Sequence, residues 1–538
     1  MTSLSFSGLT FSDLTFCWPD GTPVFDGLDG DLGPGHVGLA GINGAGKSTL
    51  LRLIAGELRP LRGSVTVRGR LGYLRQDLGL ADAQRVDHLL GIAEIRAALH
   101  RVEAGRAHDD DFDVIGSAWD VEERAVALLA RLGLAYLADS AAGLDRRLDT
   151  LSGGETVLLG LAAQLLGDPE VLLLDEPTNN LDHAARQRLY DVVDQFSGTV
   201  LAVSHDRELL ERADAIAELR QGTLRVFGGN YTDYEERIAV EQQAARAAVR
   251  AARNDVRRQS RELAETRTKL DRRRRYGQSS AENMPKILAG ARKRAAQESA
   301  GKLRNTQIER LDAAAEHLRE AEDSVRADQQ IRLDLPGTRV HPGQAVLDLV
   351  DAELPCGAVG LDRRVTLRIT GPERIALTGR NGIGKTTLLR RIAAEPPKVP
   401  WRLLPQRLNL FDPERTVFEN VAAAAPDAPP ERIRAQLARL LFRGAAADVP
   451  AAALSGGERL RAALALLLLA EPAPKLLLLD EPTNNLDLPS LRHLTEALAS
   501  FEGALIVVSH DPRFLHEIGV TRRWELTDEG VAIADAAG

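Results

Sequence analysis

Two kinds of apolar pattern alternate along this chain. In one, short unbroken apolar runs end in acidic residues: Val171–Leu174 leads into Asp175-Glu176, and Leu476–Leu479 into Asp480-Glu481. Runs of this length suit parallel strands buried on both faces. His36–Ala40 (HVGLA) and Arg374–Thr378 (RIALT) read as further strands. A glycine-rich turn follows each, and then a helical run such as Ser48–Gly56 (STLLRLIAG).

The second pattern is sparse and lies in the middle of the chain. Ala245, Val249, Ala252, Val256, Leu263 and Leu270 recur at spacings of three, four and seven, with Gln259 and Thr266 in the polar gaps. Ile308, Leu311, Ala315, Leu318 and Val325 form a second stripe. Each is a narrow heptad seam. Two helices of ~40 residues would each reach ~60 Å. Joined by Tyr276–Gly290 (YGQSSAENMPKILAG), they predict an antiparallel helical hairpin. The longest apolar stretch, Leu460–Leu479, is broken by Arg461, Glu471 and Lys475, and the first residues (MTSLSFSG) lack a basic patch before an apolar core. Neither a spanning helix nor a secretory signal is expected, which places the chain in the cytoplasm.

The buried-strand pattern occurs twice, and so does everything around it. Gly41–Glu57 (GINGAGKSTLLRLIAGE) returns as Gly379–Glu395 (GRNGIGKTTLLRRIAAE), Leu151–Glu155 (LSGGE) as Leu454–Glu458, Leu172–Asp182 (LLLDEPTNNLD) as Leu477–Asp487, and Val203–Asp206 (VSHD) as Val508–Asp511. The order is the same in both copies, so a domain has been duplicated. The expected organisation is a first domain over 1–235, a helical hairpin linker over 236–344, and a second domain over 345–538.

Composition changes this picture in one place. The 538 residues are 44% hydrophobic and 27% charged, ordinary for a globular protein, with a net charge of −9. Residues 241–310, however, hold 19 Lys/Arg against 8 Asp/Glu, a local net of +11. The basic residues crowd towards the hairpin tip: Arg272, Arg273, Arg274, Arg275, Lys286, Arg292, Lys293 and Arg294. Either they form the wet face of a spacer, or they meet an external polyanion. Cys17 and Cys356 have no metal or redox spacing.

Gly41-x-x-x-x-Gly46-Lys47-Ser48, between a strand and a helix, has the context a P-loop needs. Its glycines turn backbone N–H groups towards phosphate at a helix N-terminus, which already favours anions. Lys47 is placed for the β- and γ-phosphates and Ser48 for Mg²⁺. Gly379, Gly384, Lys385 and Thr386 repeat the set. Asp175 and Asp480 can hold Mg²⁺, and Glu176 and Glu481 can orient or deprotonate the attacking water.

With LSGGE, DEPTNNLD and SHD in this order, both halves resemble ATP-binding-cassette (ABC) ATPases. The implied fold is α/β: two P-loop ABC ATPase domains joined by an α-helical antiparallel hairpin linker. The resemblance implies head-to-tail closure within a monomer. The P-loop of each domain would then face the LSGGE signature of the other: Lys47 opposite Ser455 and Gly457, Lys385 opposite Ser152 and Gly154. Asn43, Gly44 and Thr49, with Asn381, Gly382 and Thr387, complete the two ATP-binding loops. Gln76 and Gln406 match the family's Q-loop, which senses Mg²⁺ and γ-phosphate, and His205 and His510 match its switch histidine. Trp18 matches the aromatic that stacks on adenine. The second half departs here, because Asp351–Gly360 (DAELPCGAVG) holds no aromatic. Its Thr386–Gln406 interval is also 20 residues, against 28 for Ser48–Gln76. Adenine recognition, but not phosphate chemistry, is expected to differ at the second site.

Two cassettes on one chain, a charged helical linker, EPTNNLD twice and Gly228–Ala239 (GGNYTDYEERIA) narrow the resemblance to the ABC-F proteins. That family implies a ribosomal partner, with the linker reaching ribosomal RNA and tRNA, and a role as translation factor or in antibiotic resistance. Gln76 to Ser152 spans 76 residues and Gln406 to Ser455 spans 49; by the resemblance the extra 27 are the family's usual helical segment or a very short arm, and no true arm is expected. A membrane-transporter ATPase subunit would need no basic hairpin. A DNA-maintenance ABC ATPase would characteristically carry zinc-binding cysteines or longer coiled coils.

Overall fold

The computed structural model describes residues 8–76, 85–137, 141–179, 181–281, 286–324, 335–354, 363–395, 397–484, 486–527 and 529–535. The chain divides into two units, Met1–Tyr231 with Gln330–Gly538, and Thr232–Gln329.

The first unit contains both cassettes. In the first cassette β1 (Gly8–Cys17), β2 (Pro23–Leu32) and β4 (Arg62–Arg68) form an antiparallel sheet in the order β2-β1-β4. The main sheet uses β3 (Gly35–Ala40), β5 (Leu71–Leu74), β6 (Val171–Asp175), β7 (Thr199–Val203), β8 (Ala215–Arg220) and β9 (Thr223–Gly228) in the order β5-β6-β7-β3-β8-β9. All its pairings are parallel except the β8–β9 hairpin. Every residue of β6 and β7 is buried, as expected for strands covered on both faces. The carboxyl ends of β3, β6 and β7 therefore meet at one sheet edge, where such folds place ligands.

The second cassette repeats this plan. Its main sheet runs β13 (Trp401–Leu404), β14 (Leu476–Asp480), β15 (Ala504–Val508), β12 (Arg374–Thr378), β16 (Arg522–Leu526), β17 (Val531–Asp535). Its antiparallel sheet has only β10 (Ala345–Leu354) and β11 (Arg363–Thr370) among the described residues. Among the described residues, the shorter interval after the second P-loop thus holds no counterpart of β4. The longer interval before the first signature holds two extra helices, Ala93–Glu103 and Asp109–Ile115. Ala98, Leu99 and Ile115 are buried in the same core as Leu129 and Leu158. The added length folds back onto the cassette.

The second unit is the hairpin, with helices Tyr231–Ala281 and Lys286–Ser324. Val249 and Ala252 pack with Ala321 and Leu318, and Arg253 Nη2 lies 2.7 Å from Glu322 Oε1. These contacts join the start of one helix to the end of the other, so the pair is antiparallel. All of Ala245, Val249, Ala252, Val256, Gln259, Leu263, Thr266 and Leu270 are buried or half-buried. Ala314 and Ala321 are buried as well, widening the second stripe beyond Ile308, Leu311, Ala315 and Leu318. Val325 lies outside the described residues. The first helix runs through Gly277 to Ala281, so the connection is shorter than Tyr276–Gly290. A single helical glycine costs only ~1 kcal/mol, too little to end so long a helix.

Candidate functional site

Each P-loop turns on backbone that only glycine adopts without strain. Gly46 (φ 95°) and Gly384 (φ 106°) cap the helices Lys47–Ile54 and Lys385–Ala394 in left-handed geometry. Lys47 Nζ donates to Gly41 O at 2.8 Å and Ile42 O at 3.1 Å, and Lys385 Nζ to Gly379 O at 2.8 Å and Arg380 O at 3.2 Å. Asn381 Oδ1 accepts from Lys385 Nζ at 3.4 Å. Thr49 is buried and Thr387 half-buried beneath the loops, while Gly44 and Gly382 are exposed at their crests. Burial lowers the pKa of both lysines, against the pull of Glu176, Asp487 and Asp175 on one and Glu481, Asp182 and Asp480 on the other.

Behind each lysine a hydroxyl meets a carboxylate. Ser48 Oγ donates to Asp175 Oδ1 at 3.0 Å, and Thr386 Oγ1 to Asp480 Oδ1 at 3.2 Å. Burial raises the pKa of both aspartates. Paired hard oxygens beside a phosphate loop are the donor set that Mg²⁺ prefers, so these residues fit that ion.

Glu176 (φ 49°) and Glu481 (φ 47°) share a left-handed backbone that is unusual for glutamate. Their N–H groups donate to Val203 O at 2.8 Å and Val508 O at 3.0 Å, which holds the turn. Such strain costs ~1–3 kcal/mol and persists where the surroundings fix it. Burial pushes the Glu176 carboxyl up to about 8, against the attraction of Lys47, and raises Glu481 in the same direction.

The two sites differ around these glutamates. His205 Nε2 lies 3.1 Å from Glu176 Oε1, and the His205 N–H donates to Glu176 Oε2 at 3.3 Å. Gln406 Nε2 and Asn484 Nδ2 instead donate to Glu481 Oε2, at 3.0 and 2.6 Å. His510 Nε2 is buried with no hydrogen-bond partner among the described residues. Burial lowers His205 to about 3 and His510 to about 4, so both rings are neutral near pH 7. Gln76 is exposed just beyond β5.

LSGGE is also a helix start. Ser152 caps Gly153–Leu166 and Ser455 caps Gly456–Leu468, each in a capping box with Glu155 or Glu458. A cleft of about 330 Å³ is lined by Ser152, Gly154, Asp182 and Arg188 of the first cassette and by Arg380 and Gly382 of the second. The structure thus brings Ser152 and Gly154 to the second P-loop. On the other side, the Asn43 N–H donates to Asp487 Oδ2 at 2.9 Å, which links the first P-loop to the residue ending the second DEPTNNLD. Ser455 lies at the start of its helix, and Gly457 packs against Ser490 there. Sequence reasoning missed Asp182 and Asp487. The signal was the repeated final aspartate of EPTNNLD, which caps the following helix in both copies.

Trp18 is half-buried, edge-on to Phe16 (centroids 5.3 Å apart), with the Arg52 guanidinium of the P-loop helix 5.8 Å from its ring. Most of the corresponding stretch in the second half, 355–362, and with it Cys356, lies outside the described residues. On the hairpin, Arg272 is exposed. Arg273, Arg274 and Arg275 lie on the same helix, and Lys286, Arg292, Lys293 and Arg294 on the second, but their side chains fall outside the described residues.

The ABC transporter family model matches residues 25–179 and 363–484. The chain is 37% identical to the tylosin resistance ATP-binding protein TlrC of Streptomyces fradiae, over 90% of this chain and 91% of that one. It is 31% identical to the energy-dependent translational throttle protein EttA of Mycobacterium tuberculosis, over 91% and 87%. It is 30% identical to ABC transporter F family member 5 of Arabidopsis thaliana, over 91% and 71%. An archaeal ribosome recycling factor, solved in complex with a ribosomal stalk protein, shares the fold. Its TM-score is 0.55 at 20% identity, covering 97% of this chain and 89% of that one. Two matched cassettes and relatives of this identity along nearly the whole length make the chain a member of the ABC-F family of tandem ABC ATPases.

Proposed function

We propose that this ATPase binds the ribosome and acts on translation through its basic hairpin. The full-length similarity to a tylosin resistance protein carries this reading, and the similarity to a translational throttle supports it. The higher identity, 37% against 31%, favours ribosome protection against an antibiotic over general translation control. The arginines and lysines around the hairpin tip suit salt-dependent contacts to ribosomal RNA and tRNA phosphates. Among the described residues no helix is long and apolar enough to cross a membrane. A monomer working in the cytoplasm fits the reading.

Chemistry would occur at two composite sites. Lys47 and Lys385 would neutralise β- and γ-phosphate charge, with the P-loop N–H groups, Asn43 and Asn381 around them. Mg²⁺ would be held by Ser48 and Asp175, and by Thr386 and Asp480, near Gln76 and Gln406, and would offset charge on the phosphates. Glu176 and Glu481 would orient the water and accept its proton, with burial raising both carboxyls from the ordinary glutamate value. His205 and His510 would contact the γ-phosphate as neutral donors. Ser152 with Gly154, and Ser455 with Gly457, would close over it from the opposite cassette. ATP would thus hold the halves together and the protein docked, and hydrolysis would release it.

Sucrose-gradient sedimentation of the Glu176→Gln/Glu481→Gln variant with ATP tests the proposal. The variant should travel with ribosomes in ATP and remain at the top of the gradient in ADP. Sedimentation with membranes, or no ATP-dependent shift, would reject it. Expression in a tylosin-sensitive host separates the two ribosomal roles: raised resistance supports protection, and unchanged resistance favours general translation control.

A further inference from the structure

We propose that Arg186 is a positioning residue for the second ATP site, holding that site's switch loop from the opposite cassette. The inference rests on the site assignment above. Arg186 lies on the helix His183–Gln195, which Asp182 caps. Its Nη1 donates to the His510 carbonyl at 3.5 Å and lies 3.6 Å from Asp206 Oδ2. One guanidinium therefore touches both switch loops, because Asp206 directly follows His205. The side chain is only 14% exposed, and its Nε has no hydrogen-bond partner among the described residues. Its charge acts on Glu481, His510 and Asp511, all at or beside the second site. Contacts of 3.5 Å are loose, and catalytic hydrogen bonds of this kind commonly tighten only when substrate is bound.

Neighbouring pairs continue the seam. Arg207 Nη1 donates to Glu517 Oε1 and Oε2 at 2.7 and 2.9 Å, and Arg513 Nη1 to Glu211 at 3.4 Å. These residues sit on the short helices Arg207–Glu211 and Pro512–Glu517, which Asp206 and Asp511 cap. Each switch loop thus runs directly into a helix that grips the other cassette.

Arg186 itself has no counterpart at the matching position of the repeat. The repeat places Leu491, a buried apolar residue, where the first copy has Arg186. The first site does not lack a fixed switch, because His205 is held by Glu176 of its own cassette. His510 Nε2 has no such partner among the described residues, and its loop is held through its backbone carbonyl by Arg186. Asp206 keeps the Tyr190 hydroxyl at 2.6 Å as a second partner, so losing Arg186 should disturb the first site little.

The test is Arg186→Leu, which installs the residue found in the other copy. Steady-state ATPase is measured in wild type, in Glu176→Gln (second site turning over) and in Glu481→Gln (first site turning over). In Glu176→Gln the substitution should lower kcat about tenfold, with KM within about twofold. In Glu481→Gln it should change kcat less than about twofold, which also shows that the protein is folded. Arg186→Lys, whose ammonium reaches nearly as far and keeps a donor for the His510 carbonyl, should retain at least half of the second-site kcat. Equal losses in both backgrounds, an effect on KM alone, or a Lys variant as impaired as Leu would each overturn the proposal. If neither parent variant loses turnover, the glutamate assignment fails instead. Arg186 is then judged in wild type, where a kcat loss at constant KM supports it and unchanged kcat overturns it.

Discussion

His205 Nε2 stands 3.1 Å from Glu176 Oε1, two residues that leave adjacent strand ends of one sheet. Burial keeps the imidazole neutral and raises the carboxyl, so the pair is a hydrogen bond more than an ion pair. The second site reaches a similar carboxylate environment by other means, through Gln406 and Asn484.

Replacing Glu176 and Glu481 together with Gln keeps the shape and one acceptor oxygen but removes the carboxylate that takes the proton. Turnover should fall by about 100-fold or more, while ATP affinity stays within about threefold. Paired nucleotide-binding and phosphate-release assays check this. Turnover near the wild-type rate would remove both glutamates from the chemistry.

The buried strands were legible because β6 and β14 are unbroken leucine-rich runs, a pattern that only strands covered on both faces require. The hairpin seam was legible for a similar reason, since Val249, Leu263 and Leu270 stand out in a polar background. Ala314 and Ala321 did not, because alanine suits a wet helix face as well as a buried one. Contacts across the cassettes were beyond pattern reading. Asn43 and Asp487 are 444 residues apart, and nothing in either local sequence names the other. Arg186 was hidden in the same way, as one arginine on a helix rich in polar residues.

Trp18 is half-buried beside the P-loop helix, with one face of its surroundings set by Phe16 and Arg52. Trp18→Ala should weaken ATP binding at the first site by ~1 kcal/mol or more, the worth of a lost aromatic stack. Second-site affinity should not change, and that site should discriminate poorly between ATP and GTP. Binding measured in Lys47→Ala and Lys385→Ala backgrounds separates the sites. Equal base selectivity at both would reject this assignment.

Asp487 serves two donors at once, the Ser490 N–H at 3.0 Å and the Asn43 N–H at 2.9 Å. Asp487→Ala removes a helix cap and a link between the cassettes. It should destabilise the second cassette by ~1–2 kcal/mol. Urea unfolding followed by the fluorescence of Trp524, which is fully buried in that cassette, in a parent with Trp18, Trp119 and Trp401 changed to Phe, reports it. An unchanged midpoint would mean that water replaces both bonds without loss.

Arg272, Arg273, Arg274 and Arg275 follow Leu270, the last apolar residue of the first seam. Successive helical residues are rotated by ~100°, so four in a row cannot all face one partner helix. Some must meet solvent or an external anion, and Arg272 is exposed. If the anion is RNA phosphate, each lost contact removes one share of counterion release, about 0.7–0.9 in the slope of log affinity against log salt. Changing all four to Gln should therefore weaken ribosome binding most at low salt and flatten that slope. Turnover of the free protein should hardly change, because the ATP sites are built from other residues. Filter binding of the ATP-locked Glu176→Gln/Glu481→Gln protein to purified ribosomes, over a series of salt concentrations, measures both quantities. Unchanged affinity and slope would leave these arginines as the solvated face of a spacer, and the hairpin's grip on RNA would have to lie elsewhere along it.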